Sequence, residues 1–270
     1  MMRVNYLVTV LAAASIVFAQ HSTAQTVSPV IGVVIMHGKG GSPARHVSSL
    51  ASSLEQKGYL VANLEMPWSG SREYNADVGV AEKEVDAALD AFRAKGAGKV
   101  FLAGHSQGGL FAIHYGGKHA VDGVIAIAPG GNVANPVYRK EVGASVDEAR
   151  KLVAEGKGNE KGRFSDYEGS KGRFNVTAPA VAYLSWFDPD GAMNQLKASN
   201  TMNPQVPVLF IAPKNDYPAL QRIKQMMFDA LPKNGLTRMY EPQSSHLDAP
   251  SASLDEIIRW TAEVAGTSKP

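Results

Sequence analysis

The chain predicts an α/β fold built on a doubly wound, mostly parallel sheet. Three observations carry that prediction. From residue 29 onward, apolar strand-like runs alternate with amphipathic helical patterns. The strand runs lack the two-residue alternation of a half-exposed sheet. They therefore read as buried on both faces, the condition of parallel strands with helices on each side. Finally, the pentapeptide Gly104-His105-Ser106-Gln107-Gly108 lies between a strand pattern and a helix pattern, where a tight turn needs residues without a Cβ.

The elements follow in order. Pro29–Met36 is a strand by its β-branched content. Ser42-Pro43 reads as a helix start, with Val47, Leu50, Ala51 and Leu54 on one face and Gly58 as the stop. Tyr59–Leu64 is the next strand, and Val78, Ala81, Val85, Ala88, Leu89 and Phe92 mark a helix ending at Gly96. Lys99–Ala103 leads into the Ser106 turn, Leu110–Ile113 begins the helix after it, and Gly123–Ala128 is a further strand. The rhythm then breaks between Pro129 and Pro204. Ser145-x-x-Glu148 reads as the capping box of a short helix ending near Gly156. Gly162–Ser165 and Gly172–Asn175 flank a polar turn as a small hairpin, and Val181–Phe187 is an apolar segment. This stretch reads as a lid over the carboxyl edge of the sheet. The rhythm resumes with a strand at Val206–Ile211, a helix along Leu220, Ile223, Met227 and Leu231, and a strand at Thr237–Tyr240. Ser253-x-x-Glu256 reads as the cap of the final helix.

Composition narrows the function classes. The 270 residues suit one domain with a substantial core, and the net charge of +2 gives no electrostatic case for a nucleic-acid partner. There is no cysteine, which excludes disulfides and thiolate metal sites. Arg3, then the apolar run Tyr6–Ala19, then Ser22 and Ala24, read as a secretory signal peptide cut after Ala24 or after Ala19. The run is shorter than the about 20 residues of a spanning helix. The expectation is an exported protein, periplasmic or secreted, with residues 1–24 removed and 25–270 forming a single domain without a stable membrane anchor. Its oligomeric state is not legible.

A serine hydroxyl is a weak nucleophile near neutral pH and needs a base. Histidine suits that task, and a carboxylate must hold its tautomer and stabilise the imidazolium. Asp216 follows the Val206–Ile211 strand, and His246 follows the last strand. Open α/β sheets gather their sites in loops beyond the carboxyl ends of their strands. Ser106, Asp216 and His246 are thus the candidate catalytic residues, with Asp188, Asp190 and Asp248 as alternative acids. No His/Asp/Glu cluster has metal-ligand spacing, and no Gly-rich phosphate loop is present, so neither metal nor cofactor is expected.

The order Gly104–Gly108, Asp216, His246 resembles the nucleophile elbow, acid and histidine of the α/β-hydrolase superfamily, and His37-Gly38-Lys39-Gly40-Gly41 resembles its His-Gly oxyanion turn. The similarity runs from about residue 29 to 265, with a lid insertion at about 130–204. It implies the α/β-hydrolase fold and an acyl-transfer triad, in which backbone N–H groups of Gln107 and Lys39 form the oxyanion hole. It does not imply a substrate. His37 is expected to brace its loop and His105 to be packed. Trp68, on a loop after a strand, and Trp186 and Phe187, in the insertion, are the candidates for lining the substrate site. The reading that results is a serine esterase acting on a small-molecule ester, with short or medium acyl groups favoured. An acyltransferase, amidase or lipase using the same triad, and a non-catalytic binding protein of this fold, are the alternatives.

Overall fold

The computed structural model describes residues 1–2, 29–169 and 171–266. Residues 3–28, which hold nearly all of the expected signal peptide and both cleavage sites, lie outside the described residues. Among those described, no helix is long and apolar enough to cross a membrane.

In chain order the elements are β1 (Ile31–Met36), α1 (Ser48–Gln56), β2 (Leu60–Leu64), α2 (Val78–Ala94), β3 (Lys99–His105), α3 (Gln107–Gly116) and β4 (Gly123–Ile127). An insertion follows, containing α4 (Pro136–Ala154), β5 (Lys161–Glu168), β6 (Gly172–Pro179), α5 (Ala180–Phe187) and α6 (Gln195–Asn200). The chain closes with β7 (Val208–Ile211), α7 (Pro218–Asp229), β8 (Arg238–Tyr240), α8 (Ala249–Ala252) and α9 (Leu254–Gly266).

Six strands pair in the order β2-β1-β3-β4-β7-β8, every pair parallel. Successive side chains of a strand point to opposite faces, and here both faces are dry. Val33, Ile35, Phe101, Ala103, Ile125 and Ile127 pack under α1 and α9 with Leu50, Leu54, Ile257 and Trp260. Val34, Met36, Val100, Leu102, Val124 and Ala126 pack on the other side with α2 and α3, through Val85, Leu89, Leu110 and Ile113. The unbroken apolar runs are explained by that double burial. After β1 the chain goes to one side for β2 and returns to the other for β3. The carboxyl edge between β1 and β3 is therefore a topological switch point, where open α/β sheets form clefts. Met36 pairs in register with Gly104, which sets the turn after β1 beside the turn after β3.

The hairpin β5–β6 forms as expected, over Lys161–Glu168 and Gly172–Pro179. Three capping expectations fail, each because a polar side chain is engaged elsewhere or nowhere. The first helix begins at Ser48 rather than at Ser42-Pro43, since Asn63 Nδ2 takes the Pro43 carbonyl at 2.8 Å and the chain makes turns there instead. Ser145 lies inside the long helix α4, where its Oγ accepts the Ser165 N–H at 2.9 Å from the hairpin. The cap of α4 is Asn135, whose Oδ1 accepts from the Val137 and Tyr138 N–H groups, followed by Pro136, whose missing N–H costs nothing in a first turn. Ser253 accepts the first helical bond of α9 through its carbonyl, but its buried Oγ has no partner, and Glu256 pairs with Arg238 and Arg259.

Candidate active site

Ser106 sits between β3 and α3 with φ 54° and ψ −117°, a conformation that non-glycine residues rarely adopt. Such strain persists only where the surroundings impose it, and it clusters at functional sites. Here the backbone is tied on both sides. The Ser106 N–H donates to Ile127 O at 2.8 Å, and its carbonyl accepts from the N–H groups of Gly109, Leu110 and Gly130. The turn also explains its two glycines. A Cβ on Gly104 would lie 2.0 Å from Gly108 O, and one on Gly108 would lie 2.7 Å from the carbonyls of Met36 and His37. Ser106 Oγ makes no hydrogen bond among the described residues.

His246 and Asp216 meet because the β7–β8 pairing continues past both strands. Asn215 bridges Ser245 in parallel, and the Asn215 N–H donates to Ser244 O at 3.1 Å. That places Asp216 Oδ1 2.7 Å from His246 Nδ1, with both side chains buried. A carboxylate oxygen accepts, so Nδ1 carries the proton, and Nε2 of neutral His246 keeps a lone pair. Two of the alternative acids are engaged elsewhere: Asp248 accepts from Ser245 Oγ at 2.6 Å and Asp188 pairs with Arg150 at 3.2 Å; Asp190 stands in the same turn of the insertion, its backbone N–H donating to Asp188 Oδ1 at 3.0 Å.

His105, one residue before Ser106, donates through Nε2 to the His246 carbonyl at 2.9 Å, and the two rings lie 4.8 Å apart. Burial and the neighbouring His246 push its pKa down to about 3, so it is a neutral brace for the His246 loop. The His246 ring also meets Tyr217, centroid to centroid at 4.5 Å. His37 is a brace too. Its Nδ1 donates to Gly38 O at 2.8 Å, its Nε2 accepts the Met66 N–H at 3.1 Å, and burial lowers its pKa.

The turn after β1 abuts the serine: a Cβ on Gly38 would lie 3.1 Å from Ser106 Cβ. The backbone N–H groups of Lys39 and Gln107 have no hydrogen-bond partner among the described residues. Gln107 opens α3, where the first N–H groups have no acceptor inside the helix and the helix dipole favours negative charge.

The three aromatic residues expected to line the site are instead in the core. Trp68 is 1% exposed, donates through Nε1 to His37 O at 2.8 Å and lies edge-on to both Phe111 and Trp186 at 5.3 Å. Trp186 donates to Ala76 O at 2.8 Å, and Phe187 stacks on Tyr183 at 4.1 Å. Their indoles and ring close the seam between the insertion and α2–α3. The residues beside Ser106 Oγ are others. A Cβ on Gly130 would lie 3.5 Å from Ser106 Oγ and 3.5 Å from Leu220 Cδ1. Tyr217 and Leu247, which flank Asp216 and His246, are both more than 40% exposed. Sequence reasoning placed Leu220 on the core face of a helix and passed over Gly130; the Pro129-Gly130-Gly131 break after a core strand was the available signal. Among the described residues, no group of three or more His, Asp or Glu is arranged to hold a metal ion.

The model of the alpha/beta hydrolase family matches residues 33–259, and the chain belongs to that family. Its fold is shared with the monoacylglycerol lipase of Paleococcus ferrophilus, at 21% identity, TM-score 0.58, and coverage of 86% of this chain and 94% of that one. The thermostable carboxyl esterase of Bacillus coagulans is similar at 14% identity and TM-score 0.59, covering 89% and 92%. The alpha/beta hydrolase GrgF of Penicillium sp. sh18 is similar at 14% identity and TM-score 0.63, covering 88% and 90%. No curated protein matches the chain in sequence.

Proposed function

We propose that the chain is a carboxylic ester hydrolase working through an acyl-enzyme on Ser106. The observation that carries this reading is the 2.7 Å bond from His246 Nδ1 to Asp216, on a loop braced by the residue that precedes Ser106. His246 Nε2 takes the Ser106 proton as Oγ attacks the ester carbonyl, and Asp216 steadies the imidazolium that forms. The tetrahedral oxyanion accepts from the free N–H groups of Gln107 and Lys39, each worth about 3 kcal/mol in the transition state. His246 then returns the proton to the departing alcohol, and a water activated by the same nitrogen releases the acid. The missing Ser106–His246 hydrogen bond suits a resting enzyme, because such bonds tighten when substrate arrives. Esters rather than other acyl compounds are favoured by the lipase and carboxyl esterase among the proteins sharing the fold. In this reading the insertion at 130–204 is the lid, and Leu220, close to Gly130 beside Ser106 Oγ, walls the acyl side so that short or medium acyl groups are favoured. Export and removal of residues 1–24 complete the proposal.

Fluorophosphonate labelling of the mature protein, with mapping of the modified residue, tests nucleophile and base together. Ser106→Ala should lose the label and nearly all p-nitrophenyl ester turnover, leaving a residue on the order of 10³-fold over water from the oxyanion donors. Wild-type turnover in Ser106→Ala would refute the assignment.

A further inference from the structure

Among the described residues the most deeply buried carboxylate is that of Asp166, on β5, fully shielded from solvent. Four donors converge on its carboxylate: Lys39 Nζ at 2.6 Å, Tyr138 OH at 2.6 Å, its neighbour's Tyr167 N–H at 2.6 Å, and Tyr74 OH at 3.3 Å. Tyr74 shares its proton with Gln107 Oε1, also at 3.3 Å. The two residues whose backbone N–H groups are proposed above as the oxyanion donors, Lys39 and Gln107, are therefore the two whose side chains end on this one carboxylate, directly or through Tyr74.

The chemistry of Lys39 excludes a role as a free cation for substrate. An ammonium has three donors, and here they go to Asp166 Oδ1, to Tyr138 OH at 3.1 Å and to Tyr167 O at 3.3 Å. None is left over. Tyr74 and Tyr138 remain protonated donors, since burial and the Asp166 charge push both phenols well above their ordinary range. Tyr74 is held in place at a cost: it and Glu73 stand at φ 60° and 45°, where non-glycine residues rarely sit. Strain of this kind is tolerated where the surrounding contacts over-determine it, and what surrounds Tyr74 is this network together with the packed rings of Trp186 and Phe187.

We propose that Asp166 is a positioning residue for the oxyanion hole: it anchors Lys39 on one side and, through Tyr74, Gln107 on the other. The β5–β6 hairpin is then a working part of the acyl-transfer site and not only a cover. Oxyanion donors act by standing in place before charge develops, so a shift of their carrier residues is felt in the transition state more than in substrate binding. This inference rests on the esterase reading above.

Asp166→Asn keeps the shape but offers an NH2 where the carboxylate had a second acceptor, and it removes the counter-charge of Lys39. The expected result with a p-nitrophenyl ester is a fall in kcat of about 10- to 100-fold with KM changed by less than about threefold. A boronic acid, which becomes tetrahedral on the serine, should bind more weakly by the same factor as kcat/KM falls. Folded Asp166→Asn with kcat within about twofold of wild type, or with undiminished boronate affinity, overturns the proposal. Should Asp166→Asn fail to fold, Tyr74→Phe decides. It removes only the hydroxyl between Asp166 and Gln107 and leaves the Lys39–Asp166 pair intact. A kcat loss of about threefold to tenfold at unchanged Tm, with weaker boronate binding, supports the proposal, and unchanged kinetics overturn it. Fluorophosphonate mapping on the wild-type protein separates the two levels: a label on a residue other than Ser106 removes the esterase reading itself, whatever Asp166→Asn does.

Discussion

Acidification should destabilise this fold through the histidine that supports the elbow. His105 is 3% exposed, and the nearby imidazoles of His246, His46 and His37 oppose a further proton on it. Its pKa falls from the ordinary 6.5 to about 3 in the folded protein. The unfolded chain therefore binds a proton at His105 below pH 6.5 while the folded chain does not. A depressed pKa contributes stability that is fully present above the unfolded value and is lost as pH falls toward the folded one. The loss runs at about 1.4 kcal/mol per pH unit, which gives about 2 kcal/mol between roughly pH 7 and pH 5. Against a typical total of about 5–15 kcal/mol, that is a large share from one ring. The comparison variant is His105→Gln, which does not titrate and still presents an N–H to the His246 carbonyl. Urea unfolding of the mature protein at the two pH values is the assay. With m of about 2–3 kcal/mol/M, the wild-type midpoint should drop by close to 1 M more than that of His105→Gln. Equal drops in the two proteins would mean that His105 takes up its proton in the folded state, and that the neutral brace is wrong.

Three other outcomes follow from the site. Asp216→Asn should leave the fold intact and cut kcat by about 10⁴-fold, since the His246 tautomer is lost while the geometry is kept; a near-silent Asp216→Asn alongside an impaired Asp188→Asn or Asp248→Asn would reassign the acid. Gly130→Val puts a branched side chain between Ser106 Oγ and Leu220, so kcat/KM should fall more for butyrate than for acetate esters, by about 10-fold or more. A wild-type p-nitrophenyl series rising steadily from acetate to palmitate, with activation at a lipid interface, would make the protein a lipase.

The sheet and the candidate residues at its edge were legible because both depend on local signals repeated along the chain. A parallel strand buried on two faces is a short unbroken apolar run, and the residues after each run gather at one edge. Ser106, Asp216 and His246 each stand just past such a run, and the structure brings Asp216 onto His246 as the spacing suggested. The choice of Asp216 as candidate acid followed from position alone: the loop at Asp216 lies beside the His246 loop because β7 and β8 are neighbours, whereas Asp188 lies in the insertion, paired with Arg150.

What was not legible is where side chains find partners far along the chain. Ser145 and Ser253 carry the local pattern of a helix cap, yet the hydroxyl of the first serves the hairpin and that of the second has no partner among the described residues. Trp68 has the composition of a pocket wall, but a carbonyl waits for its indole N–H in the core, and a large ring gains more there than on a rim. Lys39 is the clearest case. In the sequence it is an unremarkable cation in a glycine turn, and its partner lies 127 residues away inside an insertion with no regular pattern. An ammonium and a carboxylate can be buried together only when further donors and acceptors complete them, so such a pair arises from the folded surroundings and leaves no periodic trace. The insertion was read as a cover because its apolar residues needed something to lie on. Its one buried carboxylate argues for more, because a hairpin serving only as a cover would be more cheaply joined to the sheet by apolar contacts alone.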